Sequence, residues 1–179
     1  MTKSSYISIS RIALIFPIIF LSSLSNPIWN LLSLFLFLVA SFSDFIDGYL
    51  ARKTKTVSEL GSLLDLLADK LLVCLLLIWL SYLNSSILIL IPVLMIVSRE
   101  LIISSIRQFF SEFKDKDLVK VSLIGKLKTT LQMISISMLL VSADMGRLFY
   151  DISLFMLWIS AFFSILSLYV YLKSWLKNL

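Results

Sequence analysis

The sequence predicts an all-α integral membrane protein with six transmembrane helices and both termini in the cytoplasm. Of its 179 residues, 59% are hydrophobic and only 15% are charged. The apolar residues form long runs, which are typical of membrane-spanning helices and not of the one-sided pattern of soluble helices. No Pro/Gly/Ser-rich linker, charge block or internal repeat divides the chain. We therefore expect one domain over residues 1–179.

Six segments are long enough to cross a bilayer, which takes about 20 mostly apolar residues. They lie at 7–24, 29–51, 58–81, 86–108, 121–143 and 149–173. Turn-forming or polar residues separate the first four of them at 22–27, 53–55 and 84–85. Thr56-x-x-Glu59 matches a capping box and predicts the start of the third helix.

Basic residues give an independent test of this topology. If all six segments cross the membrane, the loops on one side hold only Arg147. The opposite side holds Lys3, Arg11, Arg52, Lys53, Lys55, Arg107, Lys114, Lys116, Lys120, Lys126, Lys128, Lys173 and Lys177. Positive charge favours the cytoplasm, so both termini are predicted to be there. The alternative is a cleaved signal peptide with 12–21 as its apolar core, which would place two basic loops outside.

Composition excludes several kinds of chemistry. The chain has no histidine, which removes histidine acid/base catalysis, histidine metal ligands and a Ser-His-Asp triad. Its one cysteine, Cys74, excludes an intrachain disulfide and lies in an apolar run. The net charge of +5 is spread over several loops without interleaved aromatic residues, so no nucleic-acid partner is expected. Carboxylates must carry the chemistry.

Four aspartates lie within apolar segments: Asp44 and Asp47 in the second, Asp65 and Asp69 in the third. A lone carboxylate at the bilayer centre costs about 2.5–3.5 kcal/mol on the insertion scale, so four require counter-charge. Residues three or four apart share a helix face, which gives two acidic stripes. If the stripes face each other, their oxygens suit two hard divalent cations, Mg²⁺ or Mn²⁺.

Small residues and an arginine accompany the acids. Gly48, Ala51 and Gly61 leave room for a ligand to approach the backbone, and Arg52 can meet an anionic ligand at the water boundary. Together these features indicate metal-assisted phosphate chemistry. In one alternative, the acids form structural ion pairs with Lys70, Arg99 or Arg52. In another, they line the ion pathway of a small cation transporter, although repeated halves and broken helices are scarce here.

The order and spacing of these residues resemble the signature of the CDP-alcohol phosphotransferase family. The matching string is Asp44-x-x-Asp47-Gly48-x-x-Ala51-Arg52, eight residues, then Gly61-x-x-x-Asp65-x-x-x-Asp69. The resemblance implies a six-helix, metal-dependent enzyme that transfers a phosphatidyl group from CDP-diacylglycerol, or a comparable group, to an acceptor hydroxyl.

The resemblance also implies individual roles. Asp44 and Asp65 would bridge two metal ions, with Asp47 on one ion and Asp69 on the other. Asp69 would also be the base that takes the acceptor proton.

For the CDP-lipid, the family resemblance implies contacts from Gly48, Arg52 and Ser58, beside the small residues Ala51 and Gly61. The positive-inside rule places the aspartates toward the cytoplasmic ends of the second and third helices, so we expect an enzyme of the cell inner (plasma) membrane with its active site facing the cytoplasm. A homodimer is a further possibility, because members of the family often pair through their helices.

Four basic residues narrow the choice of acceptor substrate. Arg99 and Arg107 lie about two turns apart on the fourth helix, and Lys126 and Lys128 lie in the fifth segment. Fixed cations at the membrane boundary suit a phosphorylated acceptor. Both segments resemble the bacterial members of the family that use glycerol 3-phosphate. Inositol phosphate, serine or another alcohol is an alternative acceptor. The cations also have alternative roles: the lysines could anchor the helix at lipid headgroups, and Arg99 could form an ion pair with Glu100.

Overall fold

The computed structural model describes residues 3–54, 59–112 and 123–176, with side chains described at 7–43, 61, 63–106, 108, 125 and 127–173. All regular structure in these ranges is helical. The six helices are α1 (Lys3–Ser23), α2 (Pro27–Thr54), α3 (Glu59–Asn84), α4 (Ile87–Glu112), α5 (Leu123–Met145) and α6 (Arg147–Leu176). The predicted all-α fold is confirmed for the described chain, and each predicted segment coincides with one helix.

Three short connections end the helices for local reasons. Asn26 caps α2, since its Oδ1 accepts a hydrogen bond from the Ile28 backbone N–H at 3.0 Å. Ser85 closes α3 in the left-handed region with φ of 46°, and Gly146, with φ of 85°, separates α5 from α6. One predicted turn is wrong in part: Lys53 and Thr54 are still helical, because α2 continues past its apolar run. Lys55 and the capping residue Thr56 lie outside the described residues.

The distribution of side chains suits a lipid environment. Large apolar side chains point outward, with Phe16 71% and Leu148 75% exposed, whereas Ser33 and Ser160 are fully buried. A water-soluble protein shows extensive apolar surface only at binding sites. In the described chain, Ile87–Ile106 of α4 and Arg147–Lys173 of α6 meet the length and apolarity needed to cross a membrane.

Helix packing brings distant parts of the chain to one end of the bundle. Helix α1 packs on α2 and α3, α6 packs on α4 and α5, and α5 also contacts α2 and α3. Small buried residues of α6, including Ser160, Ala161 and Ser164, allow its neighbours to approach closely. As a result, the first half of α3 lies among α1, α4 and α5.

Candidate active site

Helix α3 carries half of the predicted acidic pocket. Gly61, Asp65 and Asp69 follow one another at four-residue intervals and therefore share a helix face. Gly61 is buried, and both aspartates are partly buried. The three residues of the predicted stripe thus lie on one face of α3.

The other half of the predicted pocket is on α2. This helix runs through Asp44, Asp47, Gly48, Ala51 and Arg52. The side chains of these five residues lie outside the described part of the structure, as does all of Ser58. That the two acidic stripes face each other therefore stays a prediction.

Asp65 is held by a cation from the first helix. Arg11 Nη2 donates a hydrogen bond to Asp65 Oδ1 at 2.9 Å, and Ser8 Oγ lies 3.5 Å from the same oxygen. Arg11 is only 1% exposed, so this charge is inside the protein. Of the candidate pairs named from the sequence, none included Arg11. The available signal was a lone arginine within an apolar helix, which requires a counter-charge.

The α3 carboxylates fit a divalent cation. In the described part of the chain, the hydrogen bonds to Asp65 use Oδ1 and leave Oδ2 for a ligand. Two carboxylates one turn apart present oxygen donors, which hard cations prefer. Among the residues with described side chains, no group of three Asp, Glu, His or Cys residues converges on a point. A two-cation site therefore depends on Asp44 and Asp47.

A large groove extends from Asp69 between α2 and α5. Its volume is about 640 Å³. Apart from Asp69, the lining residues are Phe37, Leu38, Ser41, Phe42, Thr129, Thr130, Met133, Ile134, Ser137 and Met138. From Thr129 to Met138 the groove follows α5 for roughly 14 Å, at the rise of an α-helix. It is mainly apolar, with most of its polar residues near Asp69, and exposed Phe42 and Ile134 open it to the surroundings. This shape suits an amphipathic lipid.

A basic cluster lies on the other side of Asp69, on α4 and α5. Glu100 Oε1 accepts a hydrogen bond from Arg99 Nη1 at 3.2 Å and forms an ion pair with Lys128 Nζ. Arg99 Nη2 donates to Ser167 Oγ of α6 at 2.6 Å. Two of the four predicted acceptor-binding cations are thus brought together.

The surroundings of the four predicted acceptor-binding cations test two alternatives, an ion pair with Glu100 and anchoring at lipid headgroups. Arg99 does form an ion pair with Glu100. Lys128 is 3% exposed, so it points into the protein and not toward lipid headgroups. The side chains of Arg107 and Lys126 lie outside the described residues.

Asp69 lies at the junction of the groove and the basic cluster. A cavity of about 20 Å³ is formed between α3, α4 and α5. Asp69, Glu100, Lys128 and Gln132 line it, and Asp69 also lines the large groove. The predicted base therefore separates a mainly apolar space from a charged one. Sequence reasoning missed Gln132, because one glutamine in a helix carries no pattern.

Comparison with known proteins identifies the family. A family model of CDP-alcohol phosphatidyltransferases matches residues 1–166, which include both acidic stripes and the basic cluster. The chain belongs to the CDP-alcohol phosphatidyltransferase family. The resemblance found in the sequence is thereby confirmed.

Relatives of this CDP-alcohol phosphatidyltransferase are similar over nearly their full length. Three of them bear the name CDP-diacylglycerol–glycerol-3-phosphate 3-phosphatidyltransferase. The Rickettsia bellii protein is 39% identical over 95% of this chain and 93% of its own. The Rickettsia typhi protein is 40% identical over 95% and 94%, and the Pectobacterium atrosepticum protein is 34% identical over 94% and 91%.

Proposed function

We propose that this enzyme transfers a phosphatidyl group from CDP-diacylglycerol to glycerol 3-phosphate, giving phosphatidylglycerophosphate and CMP for phospholipid biosynthesis. The structural observation that carries the proposal is the position of Asp69 between a lipid-sized groove and a buried pair of cations. Similarity to relatives that bear the name of this activity supports it over the whole chain. Residues 1–179 would form one membrane domain.

The four aspartates would hold two divalent cations, Mg²⁺ or Mn²⁺. The oxygen donors of Asp65 and Asp69 fit this role, and Asp44 and Asp47 would complete the set. When bound, the cations neutralise charge on the pyrophosphate and on the departing CMP. Arg11 orients Asp65 through its 2.9 Å hydrogen bond.

Asp69 would act as the general base. It takes the proton from the reacting hydroxyl of glycerol 3-phosphate, whose oxygen then attacks the phosphorus that bears diacylglycerol. A new P–O bond forms, the P–O bond to the cytidylyl phosphate breaks, and CMP leaves with that electron pair. A positioned carboxylate typically accelerates such a proton transfer by about 10²–10⁴-fold.

Binding of the two substrates divides between the two sides of Asp69. The groove between α2 and α5 takes the diacylglycerol tails, and Gly48, Ala51, Arg52, Ser58 and Gly61 contact the CDP-lipid near its phosphates.

On the other side, Arg99, Arg107, Lys126 and Lys128 bind the phosphate of glycerol 3-phosphate. Glu100 fixes two of these cations at one carboxylate oxygen. A negatively charged acceptor thus meets cations whose positions are already set.

We also propose the placement in the cell. All six helices cross the inner (plasma) membrane, with both termini and the active site on the cytoplasmic side. The one-sided distribution of Lys and Arg and the apolar outer surface of the bundle support this orientation. A homodimer stays a prediction from the family resemblance.

A panel of acceptors tests the proposed activity. Purified protein would be incubated with Mg²⁺, CDP-diacylglycerol and one acceptor at a time, and CMP release would be measured. We expect CMP release with glycerol 3-phosphate and a strong preference for it. CMP release with serine or inositol phosphate, but none with glycerol 3-phosphate, would overturn the assignment.

A further inference from the structure

Gln132 is a buried polar side chain whose amide nitrogen has no hydrogen-bond partner among the described residues. It lies in the first half of α5 and is only 1% exposed. A buried amide without partners lowers folding stability, so such groups are rare in native proteins. A ligand that supplies the missing partner would account for it.

The position of Gln132 places that ligand beside the proposed base. Gln132 and Lys128 are four residues apart on α5 and share one face, about 6 Å apart along the helix axis. Both line the small cavity, together with Asp69 and Glu100. An acceptor whose reacting hydroxyl meets Asp69, with its phosphate held by the cations outside the small cavity, therefore has Gln132 as a neighbour.

The size and charge of the cavity identify the group that Gln132 would meet. Its volume of about 20 Å³ has room for one hydroxyl group or one water molecule, but not for a phosphate. Lys128 and Arg99 already provide cationic partners for a phosphate, whereas an amide is neutral and suits a neutral hydroxyl. Glycerol 3-phosphate has one such hydroxyl on its central carbon, beside the hydroxyl that reacts.

We propose that Gln132 is a specificity-determining residue, whose side-chain amide donates a hydrogen bond to the central hydroxyl of the acceptor. This inference rests on the proposed function and adds the recognition of the non-reacting hydroxyl. A site built to bond a hydroxyl discriminates strongly against an analogue without it, because the site's own polar group is then left unpaired. Gln132 thus favours a vicinal diol phosphate over a simple hydroxyalkyl phosphate.

The test compares two acceptors on two enzymes. The acceptors are glycerol 3-phosphate and 3-hydroxypropyl phosphate, which lacks only the central hydroxyl; the enzymes are the wild type and Gln132→Met, which keeps an unbranched side chain. We expect the substitution to lower kcat/KM for glycerol 3-phosphate by about 10- to 100-fold and to leave kcat/KM for the analogue little changed. An equal loss for both acceptors would overturn the proposal and would point to a bound water or a packing role.

Further variants guard against a folding defect. Gln132→Glu keeps the size of the side chain without the amide donor, and we expect the same loss of selectivity. Ser164→Ala is the matched control, because Ser164 Oγ is also buried without a partner among the described residues but lies on α6, away from the cavity. Its selectivity should equal that of the wild type; a comparable shift there would count against a specific role for Gln132.

Failure of the proposed function would look different from failure of this inference. If the wild type released no CMP with glycerol 3-phosphate, the assigned activity would be wrong. If the wild type were active and Gln132→Met kept its preference for the diol, only the role of Gln132 would be wrong.

Discussion

Asp65 and Asp69 are one turn apart on α3 but have different surroundings. Asp65 is bound by Arg11, whereas Asp69 borders both the lipid-sized groove and the small polar cavity. A carboxylate bonded to a buried arginine is fixed in position by that charge-assisted hydrogen bond. Asp65 is therefore suited to the proposed role of a fixed ligand, and the position of Asp69 between the two cavities fits the proposed base.

Substitution of single acids separates the two roles. We expect Asp69→Asn to abolish turnover while reducing CDP-lipid binding less than Asp44→Asn does, because loss of the base affects the chemical step by about 10²-fold or more. Turnover would be followed by CMP release, and binding by displacement of a labelled CDP-lipid at saturating Mg²⁺. Equal losses of binding in the two variants would contradict this division of roles.

Glu100 is expected to position the acceptor-binding cations. Glu100→Gln keeps the shape but removes the charge that Arg99 and Lys128 share, so two buried cations lose their counter-charge. We expect KM for glycerol 3-phosphate to rise about tenfold, KM for CDP-diacylglycerol to change little, and stability to fall by about 3 kcal/mol. Asp151→Asn, an exposed acid of α6, is the control. A rise in both KM values would argue against a role specific to the acceptor.

For single residues, the spacing along the sequence predicted which side chains share a helix face. It did not predict which side chains from different helices pair with each other. The stripe of Gly61, Asp65 and Asp69 follows from the four-residue repeat alone. The bond between Arg11 and Asp65 joins residues 54 positions apart, so it depends on α1 packing against α3. Gln132 could not be predicted, since its importance comes from what it lacks in the folded state.

Helix α5 borders both of the proposed binding regions. One side, with Lys128 and Gln132, borders the small cavity shared with α3 and α4, and another, with Ile134 and Ser137, borders the groove shared with α2. A single helix therefore positions residues for both proposed substrates. Movement of α5 would alter both binding regions together.

Filling the groove should affect the lipid substrate according to its tail length. Ser137 lines the groove about two turns of α5 beyond Thr130, and Ser137→Phe would occupy part of it. Because the added ring would conflict sterically with long tails, we expect KM for long-chain CDP-diacylglycerol to rise about tenfold. KM for a short-chain analogue should change little. Ser98→Phe, at an exposed position of α4, provides the control. An equal effect on both chain lengths would exclude the groove as the tail site.

The helices themselves were predictable because each contains an apolar run bounded by turn residues. Their bounds extend beyond those runs by a few residues, as at Lys53 and Thr54, since helical hydrogen bonding continues into polar sequence. Which helices pack together was not predictable. Apolar faces of similar composition give no preference among partners, and the close contact of α5 and α6 depends on small residues such as Ser160 and Ala161.

For the whole molecule, orientation in the membrane is the property that most needs a direct test. In a Cys74→Ala background, single cysteines would replace Ser85, between α3 and α4, and Lys53, near the end of α2. We expect a membrane-impermeant maleimide added to intact cells to label Ser85→Cys but not Lys53→Cys, which should react only after the membrane is opened. The reverse pattern would place the basic loops outside, against the positive-inside rule.

The sideways opening of the groove between α2 and α5 has a kinetic consequence. Leu38, Phe42 and Ile134 are exposed along it, so in the proposed membrane placement a molecule in the groove would contact the hydrocarbon phase and not water. The lipid substrate would arrive, and the lipid product would depart, by diffusion within the plane of the bilayer. The rate should therefore follow the mole fraction of CDP-diacylglycerol among the surrounding lipids and fall on dilution with inert detergent, whereas glycerol 3-phosphate should act through its concentration in bulk water.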